Sequence, residues 1–263
     1  MSRTLLDKIF AAKRVRVESA IATTNLDSLK ESAFAVRLNS QPHRLRDALA
    51  DRSRINIIAE FKKASPSKGV ISGDADPAAF AFEYEAGGAA AISVLTEEDF
   101  FKGSLDDLQA IRKAASLPIL RKDFIFDEFQ IYEAAAAGAD AILLIAAMVG
   151  DEELQSLLSV AENLGMDALV EVHTLAELVR VTDFGATLIG VNNRNLKTFE
   201  VSLDVAREMI KSAPPNAIMV AESGIKTRED IDELRRIGYS GFLIGETLMS
   251  SDDPAAELRK LND

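Results

Sequence analysis

Cysteine is absent from all 263 residues. That excludes a disulfide framework, a thiolate nucleophile and any Cys-ligated metal, and it fits a reducing compartment. Long apolar runs are absent too. The longest candidate, residues 134–149, is broken by Gly138 and Asp140 and is too short to span a bilayer. The first residues, Met1 to Lys8, carry no apolar signal core, so a cytoplasmic location is the default expectation. Positive charge is in deficit. Thirty Lys and Arg face 42 Asp and Glu, a formal net charge of −12. The average field of such a chain repels nucleic acid and anionic membranes. Histidine is scarce, with only His43 and His173. His43 precedes the first strand. His173 follows Glu171 and is expected to point away from it, so neither reads as catalytic.

A chain of this length can bury about three quarters of its unfolded surface in one domain. Eight short apolar runs follow a helical stretch over residues 1–50, which carries Leu5, Leu6, Ile9 and Phe10 at helical spacing. The runs are Ile55–Phe61, Ala89–Leu95, Pro118–Lys122, Ala141–Ile145, Ala168–Val172, Thr187–Val191, Ala217–Ala221 and Gly241–Ile244. They recur roughly every 20–35 residues, the length of a strand–loop–helix–loop unit. Helices are expected between them, for example over Asp127–Ala137, Asp151–Leu164 and Thr227–Ile237. Each of these opens on acidic or hydroxyl residues and stops before Gly138, Gly165 or Gly238, matching the helix dipole and C-cap geometry. Near-repeats at 86–89, 137–140 and 184–187 place Gly at three helix-to-strand junctions. Eight such units predict an α/β fold, a (β/α)8 TIM barrel, as one domain over residues 1–263 with a helical extension at 1–50 and a barrel core at 51–263. An open doubly wound sheet is the alternative. The absence of Gly-x-Gly-x-x-Gly after the first strand weighs against it.

The polar residues that end these runs carry the functional signal. After Ile57-Ile58-Ala59 comes the run Glu60-Phe61-Lys62-Lys63-Ala64-Ser65-Pro66-Ser67-Lys68-Gly69. Alternation along a strand puts Glu60 and Lys62 on one face and Phe61 on the other. Lys122, Glu171, Asn192, Glu222 with Ser223, and Gly245 end further strands. In a barrel these ends converge on the active site. Buried Lys and Glu are rare unless paired, so the set is either a site or a structural ion network. Lys62, Lys63, Lys68, Arg121, Lys122 and Arg194 together suggest a basic pocket inside an acidic shell. Gly224 and Gly245, after the last two strands, let backbone approach a ligand closely. Loops in these places often bind phosphate through N–H groups. A phosphorylated small molecule is the expected substrate.

Five segments resemble the signature of the indole-3-glycerol-phosphate synthase family: residues 57–67, 120–125, 169–173, 190–196 and 221–225. The resemblance covers essentially the whole chain in the family's order. It implies a monofunctional lyase of tryptophan biosynthesis without metal or other cofactor, monomeric by default. Its substrate would be 1-(2-carboxyphenylamino)-1-deoxyribulose 5-phosphate, which closes to the indole ring with loss of carbon dioxide and water. The resemblance assigns the general acid to Lys122, with Lys62 as second candidate and holder of the substrate carboxylate. Glu60 and Glu171 become acid–base residues, Glu171 in the dehydration half. Asn192, Glu222 and Ser223 orient hydroxyls and the anthranilate group. Phe101, Phe124 and Leu196 line the aromatic pocket. Ser65, Arg194, Gly224, Gly245 and Glu246 contact phosphate and carboxylate. Because a carboxylate repels phosphate, Glu246 is expected to offer its backbone N–H and turn its side chain away. Burial or nearby cations can tune a catalytic Lys toward neutrality. Two other readings stay open: a Schiff-base aldolase with Lys122 as nucleophile, and a non-catalytic phosphate-binding regulator. An isomerase using a Cys–Asp pair is disfavoured by the missing Cys.

Overall fold

The computed structural model describes residues 5–195 and 198–263. Leu196 lies outside the described residues. Eight strands hydrogen-bond in parallel, each to its neighbour, and the last returns to the first to close a barrel. They are β1 (Ile57–Phe61), β2 (Ala91–Leu95), β3 (Ile119–Lys122), β4 (Ala141–Ile145), β5 (Asp167–Val172), β6 (Leu188–Asn192), β7 (Ile218–Glu222) and β8 (Gly241–Ile244). Each coincides with an expected run to within two residues. Closure removes the open-sheet alternative.

The helices begin where local chemistry starts them. Asp127 and Thr227 cap Glu128–Ala137 and Arg228–Ile237 by accepting from backbone N–H groups. Asp151–Asn163 opens on three acids. At the three near-repeat junctions Gly88, Gly138 and Gly185 have φ of 83°, 93° and 82°, the left-handed region that ends a helix cheaply only at Gly.

Alternation along the strands separates two apolar regions. Outward residues such as Ile57, Ala59, Phe61, Ile92 and Val94 pack under the surrounding helices. Inward residues including Ile58, Leu120, Leu143, Leu169, Val220 and Leu243 fill the barrel. The 1–50 segment forms α1 (Leu5–Thr23), α2 (Leu26–Leu38) and α3 (Arg44–Ala50). Leu45 and Leu49 of α3 join the inward cluster and close the barrel floor, the end where the strands begin. Ile9 of α1 joins the same cluster near the mouth, beside Phe124 and Ile145.

Buried charge pins this segment at both ends. On the floor, Asp140 precedes β4 and is 2 % exposed. It accepts from Arg37 (3.3 Å), Arg44 (2.9 Å) and Arg112 (2.9 Å) and from the backbone N–H of Ile119. At the mouth, Lys13 of α1 reaches Asp123 at 2.8 Å and Glu98 at 3.0 Å. Burial disfavours charge on Asp123, but Arg121 and Lys13 outweigh it and hold its carboxyl below the usual range.

Asp140→Ala leaves three guanidiniums around an empty place. Removing one partner of a buried ionic cluster costs about 3–5 kcal/mol. Urea unfolding is expected to show a loss of that size. A loss below about 1 kcal/mol would mean that the cluster is solvated and does not anchor the floor.

Candidate active site

At the top of five of the eight strands the barrel lining turns polar. Glu60 and Lys62 rise from the end of β1, Lys122 from β3, Glu171 from β5, Asn192 from β6 and Glu222 from β7. Directly beneath them the inward side chains Ile58, Leu120, Leu143, Leu169, Val220 and Leu243 are apolar, so these charges compensate one another. Lys122 Nζ is 3.1 Å from Glu171 Oε2 and 3.5 Å from Glu222 Oε2. Lys62 Nζ is 2.6 Å from Glu60 Oε1, as strand alternation requires. Asn192 Nδ2 donates to Glu171 Oε1 at 3.1 Å, and Asn192 Oδ1 accepts from Arg194 N.

Three carboxylates around Lys122 set the protonation states. Burial alone would discharge Lys122, but Glu171, Glu222 and Glu60 overcome it and hold the ammonium well above its ordinary range. Its nearest ionic contacts are carboxylates, not cations, so nothing beside it tunes the amine toward neutrality. Burial likewise opposes charge on Glu171, yet Lys122 and His173 hold it well below the usual carboxylate range. Glu222 goes the other way. Burial raises it, Lys122 only partly offsets that, and Glu171 and Glu60 push it further up. Its Oε1 is buried with no hydrogen-bond partner.

Two glycines make room for these carboxylates. A methyl at Gly190 would collide with Glu222 Oε1, and one at Gly245 with Glu60 Oε1. Gly245 therefore admits an active-site side chain in addition to any ligand. Gly224 (φ 84°) follows Ser223, a non-glycine residue with φ 65°, and this strained pair sits at the end of β7.

The mouth has two unlike halves that meet at Glu60, Lys62, Lys122, Asn192, Arg194, Ser223 and Glu246. One half is apolar and aromatic. Phe101 and Phe124 face each other at 6.2 Å between centroids, with Leu95, Leu143, Ile145 and, from α1, Leu5, Leu6 and Ile9. Ser65 lies on this side, in a small hairpin in which Ala64–Ser65 pairs with Gly69–Val70. The other half is polar and is lined by Lys68, Gly224, Lys226, Gly245 and Thr247. There Glu246 pairs with Lys68 at 2.9 Å. Lys68 first, with Lys62 and Arg194, draws its carboxyl down. The Glu246 side chain thus reaches toward cations beside the loops expected to take phosphate.

Several sequence expectations change. His173 does not point away from Glu171: its Nε2 is 3.2 Å from Glu171 Oε1. The two residues are two apart and share a face, and His173 directly follows β5. Lys63 and Arg121 are not part of the basic pocket. Lys63 pairs with Asp107 at 2.7 Å, and Arg121 with Asp123 and Glu133 at 3.1 and 2.8 Å, all outside the barrel. Asn193 ties β6 to the end of β7 through the carbonyls of Glu222 and Ser223. His43 sits on the floor against Asp167. The contribution of α1 to the aromatic half was missed. Its only sequence signal was the apolar spacing at Leu5, Leu6 and Ile9. Among the described residues no cluster of His, Asp and Glu is arranged to hold a metal, and no helix is long and apolar enough to cross a membrane.

Residues 6–261 match the family model described as Indole-3-glycerol phosphate synthase. The indole-3-glycerol phosphate synthase of Koribacter versatilis is 53% identical over 222 residues, covering 84% of this chain and 85% of that protein. That of Ruminiclostridium cellulolyticum is 46% identical over 257 residues, 98% of each. The solved 3-hexulose-6-phosphate synthase from Salmonella typhimurium superposes with a TM-score of 0.61 over 79% of this chain and 96% of that one. At 17% identity it shares the fold alone. A closed barrel whose strand-end charges meet between an aromatic and a polar half, matched over residues 6–261 by the family model, belongs to the indole-3-glycerol phosphate synthase family.

Proposed function

We propose that this chain closes the pyrrole ring of indole in tryptophan biosynthesis. It converts 1-(2-carboxyphenylamino)-1-deoxyribulose 5-phosphate to indole-3-glycerol phosphate, carbon dioxide and water. The observation that carries the reading is the placement of Lys122, charged and ringed by carboxylates where an aromatic half-pocket meets a polar one. The substrate has the same polarity. Its anthranilate ring fits between Phe101 and Phe124, with Leu196 assigned to this wall by family resemblance. Its phosphate fits near Ser65, Arg194, Gly224, Gly245 and the backbone of Glu246. The reacting ketone then falls between the halves.

The carboxylate-bearing ring carbon attacks the ketone, and negative charge grows on the carbonyl oxygen. An ammonium held as firmly charged as Lys122 stabilises that oxygen and gives up its proton once an alkoxide, a stronger base, has formed. Lys62 holds the substrate carboxylate until it leaves, its pairing with Glu60 giving way to the ligand. Glu171 removes a proton from the methylene carbon in the dehydration half. Asn192 and Ser223 orient the sugar hydroxyls, and Glu222 assists them from its neutral state. The firmly protonated amine of Lys122 argues against a Schiff-base aldolase, which needs a free amine. The chain works without cofactor, as a monomer in the cytoplasm.

The direct test is the fluorescence of indole-3-glycerol phosphate formed from the anthranilate-deoxyribulose phosphate. Folded protein that yields no product would favour a regulator. Lys122→Met is expected to lower turnover by about 10²–10⁴-fold with the fold intact by circular dichroism. Near-normal turnover would remove Lys122 from the acid role. A borohydride-trapped adduct on Lys122 would favour the aldolase.

Gly190→Ala forces Glu222 off its position. The expected loss in kcat/KM is about 10²-fold, while unfolding shifts by about 1–3 kcal/mol. Unchanged kinetics would mean that Glu222 can move without consequence.

A further inference from the structure

Ring closure as proposed above takes up one proton per turnover. The methylene carbon loses one hydrogen, the ketone oxygen departs as water with two, and the carboxylate leaves as carbon dioxide with its electron pair passing into the ring. Glu171 can return the methylene proton to the oxygen through Lys122, 3.1 Å away. The second proton has to come from solvent. The side chains of Lys122 and Glu171 are only 14% and 2% exposed, and a bound substrate fills the mouth above them.

A way in lies behind Glu171. His173 Nε2 approaches Glu171 Oε1 at 3.2 Å, and His173 Nδ1 approaches Glu177 Oε2 at 3.7 Å. Neither contact is angled as a hydrogen bond. The imidazole borders a cleft lined by Ala147, Thr174 and Glu177 that reaches it from the flank and adjoins the mouth at Leu6, Asn192 and Arg194. Charged groups face it from every side. Glu171 and Glu177 touch it, Lys122 stands beyond Glu171, and Asp7, Arg194 and Glu200 line the same cleft. Burial disfavours the imidazolium, but Glu171 and Glu177 raise its pKa to about 9, so the ring is loaded at neutral pH.

We propose that His173 is a positioning residue that supplies the solvent proton of each turnover, acting through Glu171 on Lys122. Once Glu171 has handed the methylene proton to Lys122 and is ionised again, Nε2 gives its proton to Oε1; the carboxyl then turns and delivers that same proton to the discharged Lys122, which leaves Glu171 ionised and His173 neutral. Glu177 keeps the remaining hydrogen on Nδ1. The neutral ring regains its proton at Nε2 from an acid admitted by the cleft. This rests on the ring-closure reading and adds a residue to it.

The test compares the first turnover with the steady state in His173→Gln, by rapid quench, across a range of imidazole buffer at constant ionic strength. The first turnover draws on protons already in place and is expected to keep its rate. The steady state is expected to fall about tenfold or more and to recover in proportion to imidazolium. A merely structural role would slow both phases together without a buffer response, and that result overturns the proposal, as does an unchanged steady state. Should His173→Gln not fold, Glu177→Gln carries the test. It is expected to show a smaller fall in steady-state rate with the same buffer response, and the absence of either overturns the proposal. Wild-type protein that forms no indole-3-glycerol phosphate overturns the ring-closure reading itself, whereas a working wild type with an indistinguishable His173→Gln overturns the relay alone.

Discussion

The site depends on one constraint: buried carboxylates outnumber the ammoniums among them. Glu60, Glu171 and Glu222 stand around Lys62 and Lys122 on a barrel filled with aliphatic side chains. In such surroundings an uncompensated charge is very costly. The carboxylates therefore diverge, Glu171 staying ionised against Lys122 while Glu222 is driven toward its neutral acid. Pushing similar groups apart in proton affinity is how one pocket comes to hold both acid and base. The glycines at 190 and 245 belong to the same constraint, since side chains there would displace the carboxylates that set the balance.

Stability and chemistry occupy opposite ends of the barrel. The floor carries α3 and the Asp140 cluster. The mouth carries the polar ring and the two half-pockets. The N-terminal segment reaches both, through Arg37 and Arg44 below and through Lys13 above. An appendage in sequence is thus a structural clamp, and it also supplies the Leu5, Leu6 and Ile9 wall of the aromatic half.

The fold was legible because its signals are local. Apolar runs such as Ala141–Ile145, caps such as Asp127 and terminators such as Gly138 act within a few residues of themselves. The strand-end residues were legible because a charge at the close of an apolar run is conspicuous. Their partners were not. Nothing near Arg121 in sequence announces Glu133 as its outward partner, and nothing near Lys122 announces Glu171, 49 residues on, or Glu222. The protonation of Lys122 follows from those partners and so is not readable from its neighbours in sequence. His173 is a different case, because the two-residue spacing from Glu171 already placed both on one face.

The Lys13–Asp123 contact also sets an order of assembly. Synthesis makes α1 first, but Glu98 and Asp123 leave the ribosome only after many more residues. Until then a lysine destined for burial remains hydrated and the apolar edge at Leu5, Leu6 and Ile9 has no wall to join. The earliest helix to be made therefore docks late, once three strands have been translated, and contacts so distant in sequence slow folding and prolong exposure of sticky surface. Until α1 docks, a nascent barrel lacks the Leu5, Leu6 and Ile9 wall and cannot enclose a substrate ring.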